Sequence, residues 1–320
     1  AGPDERILEI LRKFWIKHPQ SYFAQLMDVA MVDGYNRLIL PSIALELLLD
    51  TKTRADDEAI LVFEKNLRQL LLLPPGGQKN VLGVDPGFRT GCKCVVVDLT
   101  GRYCAMATIF PVEPFFKVAE SETEILPLLK EHAIEAISIG NGTASREAFG
   151  FFKELLHKYE LDKEIRIYVV NEAGASGYSA SEIARTEFPD LDVSVRGAIS
   201  IARRFQDPLA ELVKIEPKSI GVGQYQHDVD QPMLKQSLDD VVVSCVNSVG
   251  VEVNTASKEL LQYVSGLGPQ LAQNIITYRN EHGPFNSRGD LKEVPRLGAK
   301  AFEQAAGFLR IRDAANPLDA

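Results

Sequence analysis

The chain has 320 residues, of which 45% are hydrophobic and 25% are charged, and its net charge at pH 7 is −9. This balance is that of an ordinary globular protein and excludes collagen-like and intrinsically disordered classes. The length predicts about two domains, and the negative total means that any contact with nucleic acid must be local. With no signal-peptide pattern and no apolar run of roughly 18–20 residues, we expect a cytoplasmic protein without membrane contact.

Residues 1–79 are predicted to be a helical segment. Apolar residues from Ile7 to Trp15 recur at helical spacing, and we expect Trp15 to lie in the core. A second apolar stripe follows Asp56, which with its acidic neighbours suits the positive start of a helix, and it ends before Pro74. Nothing in this segment indicates catalysis.

Residues 80–213 are predicted to form an α/β domain. Two hairpin connections come first, and strands and helices then alternate, which is typical of a mixed sheet covered by helices. The predicted strands are Val81–Val84, Cys92–Asp98, Tyr103–Phe110, Ala133–Ile139 and Ile165–Val170. The predicted helices at the end of this domain are Ser176–Phe188 and Val195–Val213.

Polar side chains follow the ends of three predicted strands, namely Asp85, Asn141 and Glu172. Ligands of open α/β sheets bind beyond the carboxyl ends of the strands, and two carboxylates would meet there if the first and fifth strands were neighbours. Paired carboxylates suit a hard cation such as Mg²⁺. The alternative is that Asp85 shapes an Asp-Pro-Gly turn and Glu172 caps the next helix, and spacing alone leaves both open.

Residues 214–250 are predicted to be connecting helices, the last of which Pro232 can open and Gly250 can end. Residues 251–312 then contain two short helical units. In each unit a hydrophobic-glycine bend precedes a helix, and the two glycines of these bends, Gly268 and Gly298, are 30 residues apart. The pattern is similar to that of tandem helix-hairpin-helix domains of DNA uptake and repair proteins.

Such bends suit phosphate because glycine lets the backbone approach closely and leaves the N–H groups of the following helix unpaired. Contacts of this kind carry no base information, so binding should be independent of sequence. The candidate nucleic-acid-binding residues are Gly266, Leu267, Gly268, Gln270, Lys292, Arg296, Leu297, Gly298 and Lys300. Residues 251–312 carry eight Lys and Arg against six Asp and Glu, a local charge of +2. The alternative is a packing motif whose glycines only end helices.

Longer runs of sequence carry a family resemblance. Gly83–Gly91, followed by two hairpin strands, resembles the first strand of the YqgF/RuvC branch of the RNase H-like superfamily. Asn171–Ser176, Arg204–Leu212 and Gly221–Asp228 resemble the Tex family of bacterial transcription accessory proteins, and the resemblance covers essentially the whole chain. It implies a multi-domain protein with a helical N-terminal segment, an α/β RNase H-like (YqgF) domain and an all-α helix-hairpin-helix domain.

The resemblance also implies where nuclease ligands would stand. Asp85 matches the first acidic position of active relatives and Glu172 a later one. Asn141 and Gly197 stand where the other two acids are expected, so two carboxylates of four remain. We therefore expect no catalytic residue and no required cofactor; the two carboxylates can at most hold Mg²⁺ or Mn²⁺ weakly. The expectation is that the chain is not an enzyme.

Members of this family carry more sequence, so we interpret the chain as a central fragment whose residues 313–320 lead to an absent OB-fold domain. The predicted function is a sequence-nonspecific scaffold that binds DNA or RNA through phosphates, acts in transcription and contacts the transcription machinery. One alternative is an active metal-dependent nuclease or junction resolvase. Another is a protein–protein interaction module that docks on the transcription machinery through helices in 1–79 and 232–250.

Overall fold

A computed structural model describes residues 3–312 and 314 of the chain. Two compact units divide it, residues 1–61 and residues 62–320. The predicted tail over 313–320 lies outside the described residues, apart from residue 314. Within the described part, no helix is both long enough and apolar enough to cross a lipid bilayer.

The first unit is helical, as the apolar spacing predicts. It contains α1 (Pro3–Trp15), α2 (Tyr22–Gly34), a π-helical turn (Tyr35–Ile39) and the start of α3 (Leu40–Leu71). The Arg12 guanidinium on α1 donates to Asp28 of α2 over 2.7 Å. The expectation that Trp15 is a core residue is wrong, since its side chain is 58% exposed. Of the α1 residues whose side chains are described, Leu8 alone is buried, and Ile7, Ile10 and Phe14 of the same apolar stripe are exposed.

The long helix α3 corrects a predicted boundary. Asp56 lies inside this helix, where we expected it to begin one, because neither proline nor glycine interrupts the chain between residues 42 and 71. Lys52, one turn earlier, forms an ion pair with Asp56 over 2.6 Å. This ion pair stabilises the acidic residue in the middle of the helix, where the positive N-terminus of a helix cannot.

A mixed five-stranded sheet forms the centre of the second unit and confirms the predicted α/β domain. Its strands are β1 (Val81–Asp85), β2 (Cys92–Val97), β3 (Tyr103–Ile109), β4 (Ala136–Gly140) and β5 (Arg166–Val170). Their order is β3-β2-β1-β4-β5. The pairs β1–β2 and β2–β3 are antiparallel, whereas β4 and β5 run parallel to β1. This is the RNase H-like arrangement of three hairpin-connected strands followed by parallel ones.

Helices cover the sheet, and two of the predicted helices are interrupted. The helices are α4 (Val118–Glu131), α5 (Ser145–Lys158), α6 (Ala175–Ala180), α7 (Glu182–Glu187), α8 (Val193–Gln206) and α9 (Pro208–Leu212). The predicted helix over 176–188 breaks at Ser181, whose hydroxyl accepts from the Ala184 amide over 3.1 Å. The one over 195–213 breaks at Asp207, which caps the helix that Pro208 begins. Both breaks are N-caps, which favour Ser and Asp.

The packing of α8 on β1 is unusually close. A Cβ atom at Gly83 of β1 would lie 2.5 Å from the Ala198 carbonyl oxygen of α8, so only glycine fits there. Most of α8 is buried, including the side chains of Val195, Ile199 and Ile201. The backbone of α8 therefore rests directly on the middle of the sheet, beside the carboxyl end of β1.

The remaining elements are mostly helical. They are α10 (Gln231–Val249), β6 (Val251–Glu252), α11 (Lys258–Leu261), α12 (Pro269–His282), α13 (Ala299–Ala305) and β7 (Leu309–Arg310). Gly250 ends α10 with a φ of +77°, as the sequence predicts. Short 3₁₀ turns occupy Pro217–Ser219, Arg288–Glu293 and Ala306–Phe308. The parallel pair of β6 and β7 joins the two ends of this region.

Candidate nucleic-acid interface and the carboxylates of the sheet

Asp85 ends β1 and faces α8. Burial, and then the negative charge of Glu172, raise the pKa of Asp85 to about 6, while the Lys93 ammonium opposes that rise. Lys93 donates to the backbone carbonyl oxygens of Thr90 and Gly91. Asp85 is therefore a half-buried carboxylate that takes up a proton more readily than an ordinary aspartate.

Gly197 stands beside this carboxylate. A Cβ atom at position 197 would lie 3.3 Å from Asp85 Oδ2. The first turns of α8 thus bring position 197 beside the Asp85 carboxylate, and the glycine there adds no side chain.

The loops after β4 and β5 are tied together by Asn141. Its side-chain oxygen accepts a hydrogen bond from the Glu172 backbone amide over 3.0 Å. The Glu172 carboxylate lies against Gly140 and Gly142, where any Cβ atom would overlap its oxygens. One oxygen, Glu172 Oε2, is buried and has no hydrogen-bond partner in the described part of the chain. Asn141 therefore has a structural role, and Glu172 is held in a tight glycine-lined position.

These residues do not fit a two-metal centre. The sequence analysis considered a sheet in which β1 and β5 are neighbours, but in the structure β4 lies between them. Asp85 and Glu172 are still close enough for Glu172 to raise the pKa of Asp85. Across residues 3–312 and 314, however, no group of three or more His, Cys, Asp or Glu side chains could hold a metal ion. Two metal ions require more carboxylate ligands than this pair supplies.

A largely buried ion cluster at the opposite end of α8 from Asp85, where Arg203 donates to the Gly101 carbonyl of the β2–β3 turn over 2.7 Å, was missed at the level of sequence. Glu187 accepts hydrogen bonds from the Tyr178 hydroxyl over 2.5 Å, from Arg203 over 2.8 Å and from Lys214 over 2.7 Å. Burial alone would raise the pKa of Glu187, but Lys214 and these hydrogen bonds hold it below its usual range. The cluster ties α6, α7 and α8 to the segment that follows α9. No local sequence motif predicts it, because its members come from four separate segments.

The first glycine bend of the C-terminal region precedes α12. Gly266 has a φ of +84°, and a Cβ atom there would lie 2.7 Å from Gln304 Cβ of α13. Leu267 is buried, so its side chain packs inward and only its backbone can face a ligand. Gly268 occupies the N-cap position of α12, where no side chain accepts a hydrogen bond from the first amides of the helix.

The second bend repeats the first at an offset of 30 residues. Arg296 takes the place of Gly266 and adopts a φ of +67°, which few side chains other than asparagine and aspartate adopt. Leu297 is buried like its counterpart, and Gly298 is the N-cap of α13. The offset extends to the serine N-caps Ser257 and Ser287, so the region is an internal repeat of one backbone unit.

Asparagine side chains hold the two bends in place. Asn247 of α10 accepts from the Ser265 amide over 2.9 Å and donates to the Tyr263 carbonyl over 3.1 Å. Asn274 of α12 donates to the Pro295 carbonyl of the second bend over 2.7 Å. The first bend is thus anchored to α10 and the second to α12, which gives both a defined position.

The polar candidates differ in what they offer a ligand. Gln270 donates to Asn274 over 3.1 Å, which places it on the outer face of α12. Lys292 lies 4.8 Å from the centre of the Phe302 ring, a cation–π contact. Arg296 and Lys300 are exposed. The second bend therefore carries three cations, while the first presents backbone and an amide.

Gly268 and Gly298 share a property that the other bend positions lack. Neither has a positive φ, with values of −112° and −73°, and a Cβ atom at either would find nothing within 4 Å. In the described part of the chain, nothing in their own backbone or surroundings calls for glycine.

Comparison with known families matches both regions. Residues 79–206 match the Tex protein YqgF-like domain, and residues 246–310 match the helix-hairpin-helix motif. The carboxylates, Gly197 and the ion cluster up to Arg203 lie within or beside the first match, and both glycine bends lie within the second.

Curated relatives are similar over nearly the whole chain. A transcriptional accessory protein Tex of Neisseria gonorrhoeae is 55% identical over 97% of this chain, and protein tex of Bordetella pertussis is 55% identical over 88%. A human S1 RNA-binding domain-containing protein is 45% identical over 92%. The chain spans 40%, 36% and 30% of the lengths of these relatives, respectively.

Among solved structures, that of T. thermophilus RuvC in complex with a Holliday junction substrate covers 39% of this chain and 90% of its own. Its TM-score is 0.29 and its sequence identity 15%.

Replacing Asp85 by asparagine should stabilise the protein in a pH-dependent way. The folded chain holds the Asp85 proton up to about pH 6, against 3.8 for the ordinary group, so ionisation above pH 6 destabilises the native state. Two pKa units correspond to at most about 3 kcal/mol. In metal-free buffer, urea unfolding should show Asp85→Asn more stable than the unaltered chain at pH 8, with the gain lost as the pH falls to 4.

An equal stability difference at both pH values would contradict this assignment of the charge penalty. Titration with Mg²⁺ at pH 8 is the companion measurement. An ion held by Asp85 would stabilise the unaltered chain and leave Asp85→Asn unchanged.

Proposed function

The chain belongs to the Tex family, and from this premise we propose that it is a sequence-nonspecific nucleic-acid-binding scaffold that acts in transcription. The observation that carries the proposal is the pair of glycines Gly268 and Gly298, which have open space and ordinary backbone angles at the starts of α12 and α13. The fold itself does not require glycine at these two positions. The absence of a side chain is explained if a ligand approaches the backbone closely there.

Phosphate is the ligand that this arrangement favours. Backbone N–H groups in the first turn of a helix have no intrahelical acceptor, and an anion can accept from them. The seven residues of α13 form a short helix, so at the second bend the side chains of Lys292, Arg296 and Lys300 supply most of the attraction. Because backbone amides and these cations contact phosphates rather than base edges, the phosphate contacts themselves are independent of sequence.

The positive φ of Arg296 supports the same proposal. A residue with a side chain in this conformation costs roughly 1–2 kcal/mol relative to one in the right-handed region. Gly266, at the equivalent place in the first bend, avoids that cost. An arginine kept in a strained conformation at the edge of a phosphate site is explained by its charge.

We also propose that the sheet domain acts as a platform and not as an enzyme. This is supported by Asn141, whose oxygen is engaged by the Glu172 amide, and by Gly197, which supplies no ligand beside Asp85. No cofactor is then required, and weak Mg²⁺ or Mn²⁺ at Asp85 and Glu172 stays a prediction. A cytoplasmic location and contact with the transcription machinery are parts of the same proposal.

A protein–protein module is the second candidate function. It is favoured by the first unit, where Phe14, Trp15, Tyr22 and Phe23 are each more than half exposed. In that case nucleic acid would be incidental, and changes in the glycine bends would leave the affinity for polynucleotides unaltered.

Reversing the charges of the second bend should weaken binding to DNA and RNA of any sequence. Each lost phosphate contact should lower the slope of log K against log salt by roughly one unit. The variant is the triple replacement of Lys292, Arg296 and Lys300 by glutamate. Fluorescence anisotropy with labelled duplexes at several salt concentrations measures both the affinity and the slope.

The control makes the same change in net charge on the sheet domain, at the exposed residues Lys130, Lys153 and Lys163. Equal losses in the two triple variants would mean that total charge, and not the bend, governs binding.

Serine at the two N-cap glycines should separate folding from binding. Serine is a good N-cap, so Gly268→Ser and Gly298→Ser should leave the unfolding free energy unchanged or slightly raised. The new hydroxyl occupies the amides that phosphate needs, and loss of one charged hydrogen bond predicts about a tenfold weaker affinity or more. Thermal unfolding and anisotropy on the same samples test both expectations.

Gly307→Ser is the matched control, because Gly307 also has nothing within 4 Å of its Cβ position but lies outside the bends. Full affinity in the bend variants would move phosphate binding elsewhere on the chain.

An assay for strand cleavage tests the platform proposal. With Mg²⁺ or Mn²⁺ added, we expect no cleavage of junction, duplex or RNA substrates above the level of Asp85→Asn. Cleavage that disappears in Asp85→Asn would instead establish the active nuclease alternative.

A further inference from the structure

Three aromatic rings form a ladder on the C-terminal region that the phosphate bends do not use. Phe285, which is 3% exposed, stacks with Tyr278 at 5.5 Å between ring centres and 13° between planes. Tyr278 stacks in turn with His282 at 4.2 Å and 14°. The inner end of the ladder is buried and the outer end, His282, is exposed.

The ladder opens into a cleft of about 260 Å³ between α12 and the second bend. Tyr278 and His282 line one side, and Glu293 and Pro295 line the other. The hydrogen bond from Asn274 to the Pro295 carbonyl, 2.7 Å long, fixes the distance between the two walls. The cleft therefore lies one residue from Arg296, beside the cations assigned to phosphate.

We propose that this cleft binds one unpaired nucleobase of a strand whose phosphates lie on the second bend. A flat ring fits as the next member of a stack of parallel aromatic rings, and protein aromatic side chains bind single-stranded bases in this way. The volume is below the roughly 300 Å³ at which drug-sized pockets begin, which suits one base better than a larger ligand.

The charges of the cleft select among bases. Glu281 and Glu293 both line it, and carboxylates accept hydrogen bonds but do not donate them. Cytosine, adenine and guanine carry exocyclic amino donors that a carboxylate can accept from, whereas unpaired thymine offers only its ring N3–H. The same carboxylates repel phosphate, so the backbone of the strand stays on the cationic side of Pro295 and only its base enters.

This inference rests on the proposed phosphate grip, and the test separates the two. The intact chain is titrated with 12-mers of dC, of dT and of an abasic backbone without bases. We expect dC to bind at least about fivefold more tightly than the abasic strand, the lower end of the affinity that stacking one base contributes. His282→Ala should reduce this difference, and dT should lie between the two strands.

A 12-mer with 2-aminopurine at its centre gives a direct signal, because stacking on His282 should quench its fluorescence in the intact chain and less in His282→Ala. His157→Ala, at another exposed histidine, is the matched control.

Equal affinity for the dC and abasic strands would overturn the base site and leave the phosphate grip standing. Failure of both strands to bind would overturn the grip. A third outcome is that the bases of neither strand contribute to affinity, while a lysine-rich peptide binds the intact chain and not Glu293→Gln. The cleft would then bind a basic peptide, and the inference would be overturned.

Discussion

The seating of α8 on β1 is the constraint on which the sheet domain depends. At Gly83 the helix backbone comes so close that a methyl group has no room, and the same contact brings Gly197 against Asp85. Tight packing of this kind tolerates little change in volume, because interiors are as dense as organic crystals. One helix–sheet contact thus sets both the glycine at position 83 and the position of Gly197 beside the Asp85 carboxylate.

The C-terminal region depends on a different constraint, the reuse of one backbone unit at an interval of 30 residues. Each copy buries a leucine, Leu267 or Leu297, and leaves the next glycine open. The buried leucines fix each bend to the core while the glycines face outward. The backbone at each bend therefore keeps a defined position while it stays accessible.

Local signals in the sequence were sufficient for the strands and turns, since alternation and Gly or Pro punctuation act over a few residues. They located Asp85, Glu172 and both glycine bends. They failed where a partner decides the outcome: Trp15 is exposed, and β4 separates β1 from β5. The left-handed Arg296 and the ion cluster at Glu187 were also out of reach, because a side chain with positive φ and a cluster assembled from distant segments have no sequence signature.

The two bends share a backbone but not a charge, and this asymmetry gives the interface a direction. Around Gly268 there is an amide side chain, whereas around Gly298 there are three cations. Contacts made by exposed cations weaken as ions screen them, while hydrogen bonds from backbone amides are less sensitive. In rising salt a strand held by the proposed phosphate grip would therefore detach first from the cationic bend and swing about the neutral one, so that release begins at one defined end.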